Sequence, residues 1–376
     1  LLAVAALLVG CDIAQTTPPC PEVECPECPE VAAPEPVAYQ DLWNSSGHAD
    51  EKAEAFTHWN EDDPPEIPIE CAKCHSRPGF LDFLGVDGTE ASMVDNPTNV
   101  GTTITCFVCH NEAIPDMDRV VFPSGSKISG LGAEARCIQC HHGLASSETV
   151  SDAIAEAGLT DDDTPSEDLA FVNSHSISAA TPYGTLVQGA YEYDGMSYRG
   201  LFNRGDDFLS CIDCHETHSL ELQLEYCRGC HTGVGEDARD IRVDTTDYDG
   251  DGDLEEGIAG EVETIYAALY AAMQAYANDV AGKGIVFDPE SYPYFFVDVD
   301  GDGDSDPEET IFPNQYNAWT PRLLRAAYNL NYVAHDPGAF AHNSDYVIQV
   351  MYDSLVDLAG DVAGMSRPEV PASTAP

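Results

Sequence analysis

Ten of the chain's fourteen cysteines recur in five identical frames. They are Cys71-Ala-Lys-Cys74-His75, Cys106-Phe-Val-Cys109-His110, Cys137-Ile-Gln-Cys140-His141, Cys211-Ile-Asp-Cys214-His215 and Cys227-Arg-Gly-Cys230-His231. Two thiols one helical turn apart can add across the two vinyl groups of one porphyrin. The histidine that follows is then placed beneath the iron, which is why Cys-x-x-Cys-His is the attachment signal of c-type haem. The spacing predicts five covalent haems c with His75, His110, His141, His215 and His231 as proximal ligands. Structural zinc needs no histidine after every cysteine pair. A dithiol redox site needs a single motif in a βαβ setting.

Five haems need five distal ligands for six-coordination, and seven of the twelve histidines are left to supply them. His48, His58, His175, His218 and His342 are the leading candidates, followed by His142 and His335. His218 stands three residues after His215, so it faces away from its own iron and towards a neighbour. Met is the alternative ligand, but the chain has only six, and Met273 reads as helix core. Irons saturated by two imidazoles pass electrons and do not bind substrate.

A second chemistry lies in two acidic loops. Asp298, Asp300, Asp302, Gly303, Asp304 and Glu309 occupy positions 1, 3, 5, 6, 7 and 12 of a calcium loop of EF-hand type. Asp247, Asp249, Asp251, Gly252 and Asp253 repeat its start, but position 12 is Ile258, so Glu255 or Glu256 has to substitute. The expectation is one or two bound Ca²⁺ in a stapling role.

These residues need elements to hold them. The frames start 35, 31, 74 and 16 residues apart, so the last two haems are close together. A dense haem set replaces part of an apolar core. The expected fold is therefore a multihaem cytochrome c, mostly irregular polypeptide wrapped around stacked haems, with short hairpins. Val120 to Ile128 reads as one hairpin, and Ala190 to Tyr198 as another with a type I′ turn at Asp194-Gly195. The C-terminal region is α-helical. Val262, Ile265, Leu269, Met273, Tyr276 and Val280 predict a helix over 261–281, closed by Gly282. Thr320-Pro321 opens a second helix, Arg322 to Tyr332. Asn343 or Ser344 caps a third, ending at Gly360. Tyr292 to Val297 reads as a strand. Because His335 and His342 lie between the last two helices, this region is expected to pack back on the haems.

Four segments follow: 1–10, an apolar leader; 11–38, a stalk rich in Pro and Cys; 39–235, the haem-attachment region; and 236–376, the helical region with the two Asp loops. Leu1 to Gly10 resembles the end of a lipoprotein signal with Cys11 as the lipidated residue, which predicts export. Cys20, Cys25 and Cys28 remain unassigned among disulfide, metal and bare stalk. Net charge is −52, from 67 acidic and 15 basic side chains, which excludes nucleic acid as a partner. No stretch suits a membrane helix, so attachment to a membrane is expected only through a lipid anchor.

With these frames, that start and the acidic body, the chain resembles the polyhaem membrane-associated c-type cytochromes of bacterial electron-transfer systems. The resemblance covers most of residues 39–362. It is carried by Ser46-Gly47-His48-Ala49-Asp50, by Cys71 to His75, by Asp206 to Leu220, by Thr320 to Tyr328 and by Asp336 to Asn343. It implies periplasmic or cell-surface electron transfer. The expected partners are other redox proteins (cytochromes or a quinol-linked donor), a mineral, or copies of the same chain stacked into a haem-wire filament. The alternative is a multihaem reductase of nitrite, hydroxylamine or a sulfur oxyanion. Pentahaem nitrite reductases also bind calcium, but they carry a lysine-ligated haem with an open site. Here all five positions are His, and the acidic surface repels anions.

Overall fold

The computed structural model describes residues 37–202, 210–231 and 234–370; the leader, the stalk with Cys11, Cys20, Cys25 and Cys28, and part of the segment 206–220 lie outside the described residues. Helices dominate, and sheet is confined to three two-stranded antiparallel pairs among the described residues.

The first long helix runs Ile258–Tyr276 and buries Val262, Ile265, Leu269, Met273 and Tyr276. It continues as a π-turn, Ala277–Ala281, before Gly282 closes it at φ 72°. The wider turn breaks the 3.6-residue period, which leaves Val280, expected in the apolar row, exposed. The second helix, Pro321–Ala334, is capped by Thr320, whose hydroxyl accepts from Leu323 N–H. The third, Ala339–Asp357, is interrupted at Asn343. There the Asn343 side-chain oxygen accepts from Tyr346 N–H at 3.2 Å, so Asn343 caps the main segment while one extra turn carrying His342 precedes it. The three helices pack together with Trp319, Tyr328, Tyr332 and Tyr346 fully buried.

The hairpin at 119–129 forms, with Val120 opposite Ile128. The strand read at Tyr292 to Val297 shortens to Phe295–Val297, paired with Ile285–Phe287. The hairpin expected at Ala190 to Tyr198 is absent. Gly195 takes a positive φ of 78° but Asp194 does not, so the turn is not type I′. Side chains take the backbone groups that a ladder would have used. Asn329 accepts from Tyr191 N–H at 2.7 Å and donates to its carbonyl at 3.1 Å. Tyr346 Oη accepts from Ala190 N–H, Tyr328 donates to Gly189 O, and Gln349 accepts from Arg199 N–H. Asn331 accepts from both the N–H and the hydroxyl of Ser174. The stretch 174–200, between the third and fourth frames, is thus fastened to buried polar residues of the last two helices.

The first two frames rest on a smaller apolar cluster of Phe56, Phe80, Ile104, Val108 and Ile114. The helix Ile69–His75, which carries the first frame, is followed at once by Arg77–Phe83. Ser76 caps the second of these through Gly79 N–H and donates to Ala72 O. Gly79 sits directly on the Ala72 carbonyl, where any Cβ would collide.

Candidate functional site: a histidine-paired haem-attachment region

Each frame lies on or beside a single short helical turn. Ile69–His75, Cys106–Cys109, Ala135–His141 and Leu224–Cys230 are α-helical, and Cys211–Asp213 is a 3₁₀ turn. A turn brings residues i and i+3 to one face, as two thioethers to one porphyrin require. None of the ten frame cysteines is joined in a disulfide.

Three of the five histidines expected to be proximal are held by the ring nitrogen that a metal would not use. His75 Nδ1 lies 2.8 Å from Ala55 O, His215 Nδ1 3.1 Å from Leu220 O, and His141 Nδ1 3.0 Å from Ser176 Oγ. Each contact fixes the ring plane and leaves Nε2 free to ligate, which is how outer partners orient metal-bound imidazoles. The residues present therefore fit haem.

Three of the predicted distal histidines face a proximal one. Ring centroids are 5.8 Å apart for His75 and His175, 6.3 Å for His110 and His218, and 6.0 Å for His141 and His48. A ligating imidazole nitrogen stands about 2 Å from its metal and the ring centre about 1 Å further out, so two rings on opposite sides of one ion are about 6 Å apart. The His110 and His218 planes are also 6° from parallel. His218 thus faces a frame other than its own. His175 has a φ of 52°, a rare conformation for a non-glycine residue, in the segment that Asn331 anchors through Ser174.

The other candidates are placed differently. His342 Nδ1 meets both oxygens of buried Asp336 at 2.7 and 2.9 Å. His335 ends the helix Pro321–Ala334 and packs edge-on against Tyr294. His58 pairs with Glu54 at 2.9 Å and packs edge-on against Trp59, which in turn touches His75. His142 Nε2 lies 3.2 Å from Lys73 Nζ, inside the first frame, and its Nδ1 is buried without a partner. Burial pulls His141, His142 and His175 down to about 4 and lowers His48, His75 and His335. Neutral imidazole is the form that binds metal.

The frames also touch one another. The Cys74 side chain lies beside that of Cys140, and the Cys137 side chain beside that of Cys211. Cys109 approaches Cys137, and burial drives its thiol up to about 11. Arg136 donates to Cys109 O, and Glu134 accepts from Cys211 N–H. The third frame is therefore in contact with the first, second and fourth.

In the acidic loops, Asp298, Asp300 and Asp302 bring carboxylate oxygens together, as do Asp247 and Asp249 with Glu261, and Asp249 and Asp251 with Glu256. Glu309 accepts from Val299 and Asp300 N–H. Asp304 and Asp253 lie on the same loops, and their amides close Asx turns on Asp302 and Asp251. Glu261 and Asp336 were not apparent from sequence spacing. Glu261 is three residues past the loop's twelfth position, and Asp336 is six before His342, beyond the helical offsets that bring side chains together.

No family model matches the chain, and no solved structure matches it. Among curated proteins it is 28% identical over 370 residues to the C-type polyheme cytochrome OmcC of Geobacter sulfurreducens, covering 82% of this chain and 45% of that protein. It is 25% identical over 363 residues to the C-type polyheme cytochrome OmcB from two strains of the same species, covering 81% of this chain and 46% of each. The chain therefore spans about half the length of the curated relatives it matches. This kinship and the five Cys-x-x-Cys-His frames support reading the chain as a multihaem c-type cytochrome.

Proposed function

We propose that the chain is an electron carrier with five covalent haems c, mostly ligated by two histidines, working outside the cytoplasm. The observation that carries this reading is the set of three imidazole pairs at 5.8–6.3 Å. Bound haem supplies one-electron oxidation and reduction at its iron. The chain's residues set where and how it is held. His75 with His175, His110 with His218, and His141 with His48 are the assigned axial pairs. His215 and His231 draw their partners from His58, His142, His335 and His342. Ala55, Leu220 and Ser176 orient the proximal rings, and Asp336 orients His342. The acidic loops at 247–256 and 298–309 bind Ca²⁺ and fasten the helical region.

Saturated irons leave no site for substrate, which favours a carrier over a reductase. No described helix is long and apolar enough to cross a membrane. Membrane attachment in this reading is through lipid on Cys11. The partners are other cytochromes, a quinol-linked donor, a mineral, or further copies in a filament. The test is a haem count by mass together with EPR of the oxidised protein. Five haems, all low-spin, are expected. A stoichiometric high-spin signal that shifts on adding nitrite or hydroxylamine would overturn the carrier reading.

A further inference from the structure

The loop 247–261 departs from the twelve-residue pattern, and its geometry shows how the difference is absorbed. In the loop that begins at Asp298, Glu309 does two things. Its Oε1 accepts from the second and third residues, Val299 N–H at 2.5 Å and Asp300 N–H at 3.3 Å. Its Oε2 is buried with no hydrogen-bond partner, in a residue 5% exposed.

In the loop that begins at Asp247, the same two tasks fall to two residues. Glu261 Oε2 accepts from the second and third residues, Tyr248 N–H at 2.9 Å and Asp249 N–H at 2.8 Å. Its other oxygen is taken by Arg242. Glu256 instead supplies a buried oxygen, Oε1, with no hydrogen-bond partner. Asp249, 6% exposed, supplies another through Oδ2.

These orphaned oxygens point to a ligand. Oxygens of Asp249, Asp251 and Glu256 lie within 4.8 Å of one another, as do those of Asp247, Asp249 and Glu261. Atoms ligating one Ca²⁺ at 2.3–2.6 Å can be no more than about 5 Å apart. A buried carboxylate oxygen among other carboxylates is costly unless a cation compensates it. The cationic side chain at the cluster, Arg242, is already engaged by Glu261 and by the Glu256 and Thr246 carbonyls.

We propose that Asp247, Asp249, Asp251 and Glu256 ligate a hard divalent cation of calcium's size, with Glu261 as the positioning residue that folds the loop onto the first turn of the helix Ile258–Tyr276. The inference rests on the reading of the acidic loops as Ca²⁺ sites and adds the division of labour between Glu256 and Glu261. It also explains how the second site reaches the same helix. Gln274, near the helix's end, donates to Gly303 O of the 298 loop at 2.6 Å. Both ends of one helix are thereby held by cation loops.

The test uses haem-loaded protein stripped with chelator and titrated with Ca²⁺ by calorimetry, with thermal melting in parallel. The wild type binds two Ca²⁺. Glu256→Gln weakens one of them at least 10-fold without lowering the melting temperature of the Ca²⁺-free protein, because it removes a ligand and no internal hydrogen bond. Glu261→Gln weakens the same site and also lowers the Ca²⁺-free melting temperature, because the loop's anchor is weakened. Asp249→Asn checks the site should Glu261→Gln fail to fold. No Ca²⁺ binding by the wild type overturns the calcium reading of both loops. Two sites unchanged in Glu256→Gln and Asp249→Asn overturn this ligand assignment alone.

Discussion

Residues 41–117 and 210–231 hold four of the prospective axial pairs' proximal histidines yet almost no apolar core; residues 258–358 hold the core and no frame. The first region buries six large apolar side chains, Ile67 and five that cluster at Phe80, and between 210 and 231 the buried residue is Ser219. The second packs Leu269, Met273, Trp319, Leu324, Tyr328, Tyr346 and Met351 at 0–1% exposure. Ion pairs brace the helical side. Arg322 joins Asp163 and Asp357, Arg325 joins Asp162, and Arg367 joins Asp353. The difference teaches that the helical region is closed by its own side chains, whereas the frame region is a set of turns with few apolar side chains of its own, as expected of a segment that bound haem completes.

The contrast can be broken most directly by removing haem. In a chain with all ten frame cysteines changed to Ser, amides of 41–117 and 210–231 are expected to exchange about 100-fold faster or more, while the three long helices change by less than about 10-fold. Equal loss in both regions, read by hydrogen exchange and mass spectrometry, would end the comparison. Next in size, Trp319→Ala removes the largest fully buried side chain and is expected to cost about 3–5 kcal/mol in denaturant unfolding of the haem-loaded protein. Asn331→Ala links the regions: losing the two bonds to Ser174 is expected to cost about 1–3 kcal/mol. In EPR it should perturb the one low-spin signal that depends on His175 and leave the others in place. The smallest effect belongs to Asp163→Asn, about 0.5–1 kcal/mol, because Asp163 is half exposed and salt screens its pair with Arg322. That difference should shrink as salt is raised.

The sequence made the chemistry more legible than the packing. Cys-x-x-Cys-His encodes a haem site within five residues, so every frame was visible without tertiary information. The long helices announced themselves by period and cap, down to Thr320 and Asn343. What could not be read were contacts made between distant segments. The hairpin expected at 190–198 failed because Asn329, Tyr328 and Tyr346, about 140 residues away, satisfy its backbone. The facing of His75 with His175 spans 100 residues and depends on a positive φ that nothing in Asn-Ser-His-Ser announces. Glu261 escaped a fixed loop template because a helix, and not the loop, delivers it.

The contacts between frames carry a consequence for how such a chain is made. Cys74 and Cys140, and likewise Cys137 and Cys211, are neighbours in space but belong to different porphyrin sites. In an oxidising compartment, two adjoining thiols can join as a disulfide instead of each adding to a vinyl group. A chain that reaches this arrangement before its cofactors arrive is expected to cross-link 74 to 140 and 137 to 211, and each such bridge would disable two frames at once. Loading the third frame, which adjoins three others, while the chain is still open avoids both bridges, and a reductant that keeps these thiols reduced is expected to raise the yield of complete protein.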